Sequence, residues 1–357
     1  MKQSLLSIIL LLITSYSIAN EPLVIATYGG AWEKAQHLAM IKPFMDKTGL
    51  KMVTVPKAHY GLAKLRAMVE SNSVVWDVID MNPQDAIVAC DEGLLEPINH
   101  NALLAPASDG TLPLKDYFKA GISKCAVPTV SYSILFATKH GTYKTPPKTI
   151  ADIFNIKKFP GKRGLQKKPI NNPEWALHAD GVPLSKIYKV LATPEGLKRA
   201  FAKLDTIKNH IIWWTSSAQS PQMLANQEVS IASGYNGRFF NAMINHGKKY
   251  DLIWDGQLVN TTVWAVPKGK LSKDIKTFLH DAASPSAITK MSRIIATGPA
   301  RISAAQAATT HLYTGQDLTP FLPTAKQNMF NMAQRNGRWW AEHGDKIYEK
   351  FNIWLAK

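Results

Sequence analysis

The sequence predicts an α/β protein of two lobes, each a mixed sheet flanked by helices, with the chain crossing twice between them. Three observations carry this. Strand, glycine turn and helix alternate through the first hundred residues; the same alternation returns in the middle of the chain; and 357 residues exceed what one hydrophobic core usually organises.

In chain order, Lys2 precedes the apolar run Leu5 to Ile13, and small residues end at Ser17-Ile18-Ala19. That is the pattern of a secretory leader cleaved after Ala19. The run is about half the roughly 20 apolar residues a spanning helix needs. The expected mature protein, some 340 residues, is periplasmic and free of the membrane. Leu23-Val24-Ile25-Ala26 reads as a strand ending in Thr27-Tyr28-Gly29-Gly30, followed by a helix to Lys47-Thr48-Gly49 and a second strand, Met52 to Val55. This is the unit that builds parallel sheets. Leu62, Leu65 and Met68 fall at helical spacing. Trp76 to Asp80 reads as a buried strand, and Asn82-Pro83 as an N-cap with proline in the first turn.

The middle follows the same logic. Thr193-Pro194 opens a helix with Leu197, Phe201 and Leu204 on one face, and Ile211 to Trp214 is a strand entering the turn Thr215-Ser216-Ser217. Ser220-Pro221 opens another helix. Val229 to Ala232 is a strand ending at Gly234-Tyr235-Asn236-Gly237. A strand pair is expected at Asp251 to Trp254 and Thr262 to Val266, and mostly helices from Ser272 onward. Extended apolar runs near Ser131 to Thr138 and Asn260 to Val266 place the crossings. The expected division is 1–19 leader, 20–133 with 263–310 first lobe, 134–262 second lobe, and 311–357 C-terminal helices packed on the lobes.

The net charge of +16 raises the question of a nucleic-acid or anionic-membrane partner. The basic residues are scattered and no nucleic-acid module is present, so the charge reads as surface chemistry. Cys90 and Cys125 are the two cysteines, and in an oxidising compartment they are expected to pair. The ten histidines are dispersed without ligand spacing, so no metal or cofactor is expected. No nucleophile elbow, zinc-protease pair, dinucleotide fingerprint or phosphate loop occurs. Asp77, Asp80 and Asp85 cluster in sequence, but on a strand followed by a helix cap they read as capping and solvated groups. Gly29-Gly30 before a helix is a potential seat for an anionic group.

Several segments together resemble the extracellular solute-binding proteins of ABC importers, in the spermidine/putrescine branch: Thr27-Tyr28-Gly29-Gly30-Ala31-Trp32-Glu33, Trp76-Asp77-Val78, Glu92-Gly93-Leu94-Leu95-Glu96-Pro97, Phe159-Pro160-Gly161-Lys162-Arg163, Trp213-Trp214-Thr215-Ser216, Asn236-Gly237-Arg238, Trp264-Ala265-Val266-Pro267-Lys268-Gly269 and Gly298-Pro299. They fall in order over nearly the whole mature chain. The resemblance implies a type II periplasmic binding protein fold, a monomer without catalytic activity, and permease and ATPase partners in the inner membrane. It also implies a polyamine ligand gripped by aromatic rings and carboxylates. By position, the implied ligand contacts are Tyr28 and Trp32; Asn82, Gln84 and Asp85; Thr215, Ser216, Tyr235 and Asn236; and Thr262 and Trp264. The chain departs from the branch where polyamine binders carry an aspartate before the second crossing, which here is Thr262. Their second-lobe acidic pair is also missing, with Asn171 and Asn172 near that point and Glu174 the nearest acid. A buried ammonium without a carboxylate costs several kcal/mol. The alternative is therefore another small organic solute, an opine, an amino-acid-like compound or an organic acid, with a periplasmic enzyme using the same cleft as the remoter reading.

Overall fold

Leu23–Thr27 (β1), Met52–Pro56 (β2) and Val78–Met81 (β3) pair in parallel in the order β2-β1-β3, as two consecutive strand–helix–strand units require. The computed structural model describes residues 21–57, 61–118 and 122–357, so the expected leader and its cleavage point lie outside the described residues. The helix after β1 runs Gly30–Gln36, relaxes into a π-turn at His37–Ile41, and continues as Lys42–Thr48 until Gly49, at φ 72°, reverses the chain. Only a residue that tolerates a left-handed backbone ends a helix this way without strain.

Two long strands cross the molecule. Ala126–Lys139 (β4) and Tyr250–Ala265 (β8) pair antiparallel along most of their length. At one end β8 pairs with β3, which completes the first lobe's sheet. At the other end β4 pairs with Ile231–Tyr235 (β7), beyond which lie Arg163–Gln166 (β5) and Ile211–Trp214 (β6) in parallel. The full order is β2-β1-β3-β8-β4-β7-β5-β6. The β4–β8 register shifts between Pro128 and Ser131 and again between Ile134 and Phe136. Extra residues on one strand bend a ladder, so the β4–β8 pair is bent at these two points.

The expected strand pair at Asp251 to Trp254 and Thr262 to Val266 is thus one continuous strand. Gly256, Gln257 and Asn260 look like a turn in the sequence because they interrupt the apolar pattern, yet each is accommodated inside the sheet. Gly256 has φ 64° and donates its N–H to Asn331 O. Gln257 Nε2 donates to the Pro323 and Asn328 carbonyls. The short strand Met332–Gln334 (β10) lies parallel to Gln257–Val259, and Gly298–Pro299 (β9) pairs with β4.

The helices from Ser272 match expectation at Lys273–Ala282 and Pro285–Ile295, N-capped by the Ser272 and Ser284 side chains. Between Ile302–Ala305 and Gly337–Ala356 the chain is instead turns with two short 3-10 segments and the strand β10. Its side chains and carbonyls serve the β8 insertion just described, so the partners are non-local and leave no periodicity to read.

Separate apolar clusters fill the lobes. Ile25, Met40, Phe44, Val78, Phe278 and Met291 pack in the first; Phe136, Ile153, Trp175, Leu177, Leu204 and Ile231 pack in the second. The last helix adds Trp340, Phe351 and Trp354 to the second cluster. Trp340 Nε1 donates to Glu174 at 2.9 Å, and Trp354 Nε1 to Asp205 at 2.7 Å. The same helix begins against Pro83–Asp91 of the first lobe, where Arg338 pairs with Asp91 at 2.5 Å.

Cys90 and Cys125 are bridged, with Cα atoms 5.8 Å apart, tying the Pro83–Asp91 helix to the residue before β4. Cross-linking residues 35 apart in sequence restricts the unfolded chain by about 2–4 kcal/mol. The double variant Cys90→Ala/Cys125→Ala is expected to lose about that much unfolding free energy in urea titration, with an unchanged far-UV spectrum.

Candidate functional site

The cleft between the lobes meets the two crossing strands at a cavity of about 90 Å³, several times the roughly 10–15 Å³ that one ordered water needs on the same measure. Its wall is assembled from every part of the chain. Tyr28 and Trp32 come from the β1 turn and helix, Asn82 from the end of β3, and Ile295 and Thr297 from the end of a first-lobe helix. Tyr132 and Thr262 come from β4 and β8, and Ser217, Tyr235, Gly237 and Arg238 from the second lobe. Strand ends point their turns into one crevice because parallel units place all their C-terminal ends on the same edge.

Asp80, on β3 and 1% exposed, is the anchor beneath this wall. Its Oδ2 accepts Trp32 Nε1 at 2.6 Å and Gln36 Nε2 at 2.8 Å, and its Oδ1 accepts the Thr262 hydroxyl. Gln36 is itself fixed, accepting Thr27 Oγ1 at 2.5 Å. Burial raises the Asp80 pKa, while Lys57 and the three side-chain donors oppose the rise. The carboxylate therefore locks the Trp32 ring edge and couples β3 to the crossing strand β8.

Aromatic rings form the body of the wall. Trp32 meets Tyr132 edge to face at 6.4 Å, and Tyr132 meets Tyr235 at 5.5 Å. The Tyr132 hydroxyl donates to Asn82 Oδ1 at 2.8 Å and accepts Asn260 Nδ2 at 3.1 Å. Asn82 thus takes the N-cap position of the next helix by backbone only; its side chain is turned to the cleft and makes no cap bond. Burial raises the pKa of Tyr28 well above its ordinary value and pushes Tyr132 up to about 12, so the rings remain neutral.

One cation lines this wall and another stands against its Tyr28 ring. Arg238 Nε donates to Ser217 Oγ at 3.1 Å, and its guanidinium reaches across to the first lobe. A β-carbon on Gly30 would lie 2.9 Å from Arg238 Nη1. Gly30, at φ 62°, therefore serves both the left-handed turn and the approach of Arg238. Lys57, 7% exposed, places Nζ 3.6 Å from the Tyr28 ring centroid, and desolvation lowers its pKa to about 8.

Of the residues implied by the resemblance, Tyr28, Trp32, Asn82, Tyr235 and Thr262 come together at the cavity. Asp85, half-buried, lies within electrostatic reach of Lys57, Lys168 and Arg335. Asp85 does not line the cavity, nor do the remaining five. Gln84 is buried on the helix behind Asn82. Thr215 and Ser216 are exposed, and both donate their N–H groups to Gln219 Oε1 at 2.8 Å; Ser217 is the residue of that turn that reaches inward. Asn236 is buried as a tie, accepting Ser133 N and donating to Ala296 O. Trp264, two residues beyond Thr262 on the same face of β8, sits in the first-lobe core, edge to face with Phe278 at 5.9 Å. Among the described residues no cluster of three or more His, Cys, Asp or Glu forms a metal site.

Sequence reasoning missed Arg238, Ser217, Tyr132 and Thr297 as wall residues. Arg238 had a signal: it follows the strand-end residues Tyr235 to Gly237 by one position, and a cation there faces the cleft. Tyr132 and Thr297 had none, since only the fold brings them there.

Comparison with known proteins follows the same lines. The model of the bacterial extracellular solute-binding protein family matches residues 39–315. The gamma-aminobutyric acid-binding protein of Pseudomonas aeruginosa is 34% identical over 339 residues, covering 95% of this chain and 92% of its own. A solved GABA receptor is 32% identical, with TM-score 0.80, over 94% of this chain and 98% of its own. The binding protein MotA from A. tumefaciens B6, solved in complex with glucopine, is 29% identical, with TM-score 0.82, over 94% of this chain and all (100%) of its own.

Removing the anchor carboxylate leaves Trp32, Gln36 and Thr262 without their acceptor. Asp80→Ala is expected to lower unfolding free energy by about 1–3 kcal/mol and to shift Trp32 fluorescence; a melt superimposable on the wild type would contradict the anchoring role.

Proposed function

This chain belongs to the bacterial extracellular solute-binding protein family, and from that premise we propose that it captures an amino-acid-like zwitterion of the γ-aminobutyrate or opine class in the periplasm. It then hands the ligand unchanged to the permease and ATPase of an ABC importer. The observation that carries the reading is Arg238. Its Nε is committed to Ser217, while the rest of its planar fork faces the cavity beside Gly30. A guanidinium in such a pocket matches a carboxylate with two parallel hydrogen bonds.

The opposite end of the guest, an ammonium, meets the rings of Trp32, Tyr132 and Tyr235 and the field of Asp80. An ammonium on an aromatic face gains about 0.5–2 kcal/mol. The hydroxyls of Ser217, Thr262 and Thr297 supply further polar contacts. Relatives that bind gamma-aminobutyric acid and glucopine support the same ligand class. The polyamine reading has less support, because a diamine offers nothing to Arg238 and brings a second positive charge beside it. Stabilisation of a closed form by small-molecule capture needs no catalytic group, and none of the wall residues forms a nucleophile–base pair.

Titration calorimetry with γ-aminobutyrate, an opine and putrescine tests this. One-to-one binding of an amino acid or opine, recovered intact, is expected; binding of putrescine alone would overturn it. Arg238→Met is expected to weaken the carboxylate-bearing ligand by roughly 10- to 150-fold while the melting temperature stays near that of the wild type.

A further inference from the structure

The geometry points to Lys57 as the residue that sets the charge class of the ligand: an ammonium supplied by the protein occupies the Tyr28 ring and excludes diamines from the cleft. This rests on the reading of the cleft as a site for small solutes and names what that site refuses.

Lys57 is an uncommon place for a lysine. It directly follows β2 and is buried, its N–H held by Thr27 O at 2.9 Å. Its Nζ sits 3.6 Å from the centroid of Tyr28, a ring that itself lines the cavity. Gly61 makes the space: a β-carbon there would stand 3.1 Å from Lys57 Cδ and 3.3 Å from Nζ. An amine-binding site gains affinity by placing the guest's ammonium on such a ring. Here the face is already taken by the protein's own cation.

Lys57 is the leading favourable charge for both buried carboxylates, Asp80 and Asp85; Lys168 and Arg335 also lie within reach of Asp85, and Arg238 lines the cavity. A guest with one ammonium and one carboxylate adds no net charge to this cluster. A diamine adds two positive charges to a poorly hydrated space that already holds these cations, where like charges repel far more than in water. Without Lys57 the two carboxylates lose that partner, and the Tyr28 face is vacant.

The test measures putrescine and γ-aminobutyrate affinities on wild type, Lys57→Met and Lys57→Arg by calorimetry. The ratio of putrescine to γ-aminobutyrate affinity is expected to rise at least tenfold in Lys57→Met and to stay at the wild-type value in Lys57→Arg. A smaller rise in a folded Lys57→Met, or an equal rise in Lys57→Arg, would overturn the assignment. Should Lys57→Met fail to fold, Gly61→Ala displaces the ammonium by crowding and is expected to raise the ratio in the same direction; no rise would count equally against Lys57. Wild-type protein that binds neither of these ligands nor an opine would overturn the small-solute reading and this inference together.

Discussion

A carboxylate buried in the floor of a cleft is the constraint from which most of this molecule follows. Asp80 is held on β3 where water cannot solvate it, so the surrounding chain must. Trp32 and Gln36 from the first helix and Thr262 from a crossing strand each turn a donor toward it. Those donors are also the cleft wall and the hinge. One buried charge thereby fixes an aromatic ring, a helix and the strand on which the lobes turn. Breaking a buried charge's partners is costly in a way that trimming a surface pair is not.

The departure from the polyamine-binding pattern gains a physical sense in this light. Thr262, which stands where an aspartate was expected, is a donor to an acid supplied from the neighbouring strand. The negative charge has moved by one strand and has been wrapped in hydrogen bonds. Meanwhile Arg238 and Lys57 add two cations to the same space. The rings of Tyr28, Trp32 and Tyr235 line the cavity, and an expectation built on rings and carboxylates had no view of the cations.

The difference between what could be read and what could not is one of range. Alternating strand and helix signals are local, so β1 to β3, β6 and β7 were legible with the helices that join β1 to β2, β2 to β3 and β6 to β7, whereas β5 was not read as a strand; Tyr28, Asn82 and Tyr235 lie at or just after strand ends. Arg238 meets Gly30 only when two lobes face each other, and Lys57 meets Tyr28 only through the pairing of β1 with β2. β8 looked like two strands because Gly256, Gln257 and Asn260 interrupt its apolar run. Their partners, Asn331, Asn328 and Tyr132, are tens of residues or more away. Trp264 shares its strand face with Thr262, yet two residues along β8 that face already meets the first-lobe core at Phe278.

The final helix has a mechanical consequence. It starts two residues after Arg335, whose N–H bonds Val259 O on β8, and it lies against Pro83–Asp91 of one lobe while its tryptophans are set into the other. A rotation that lifted the lobes apart along this edge would pull Arg338 from Asp91 and strip cover from buried Gln84. One that pivots on this edge leaves those contacts whole. The carboxyl-terminal helix therefore fastens the two lobes to each other along one edge of the molecule.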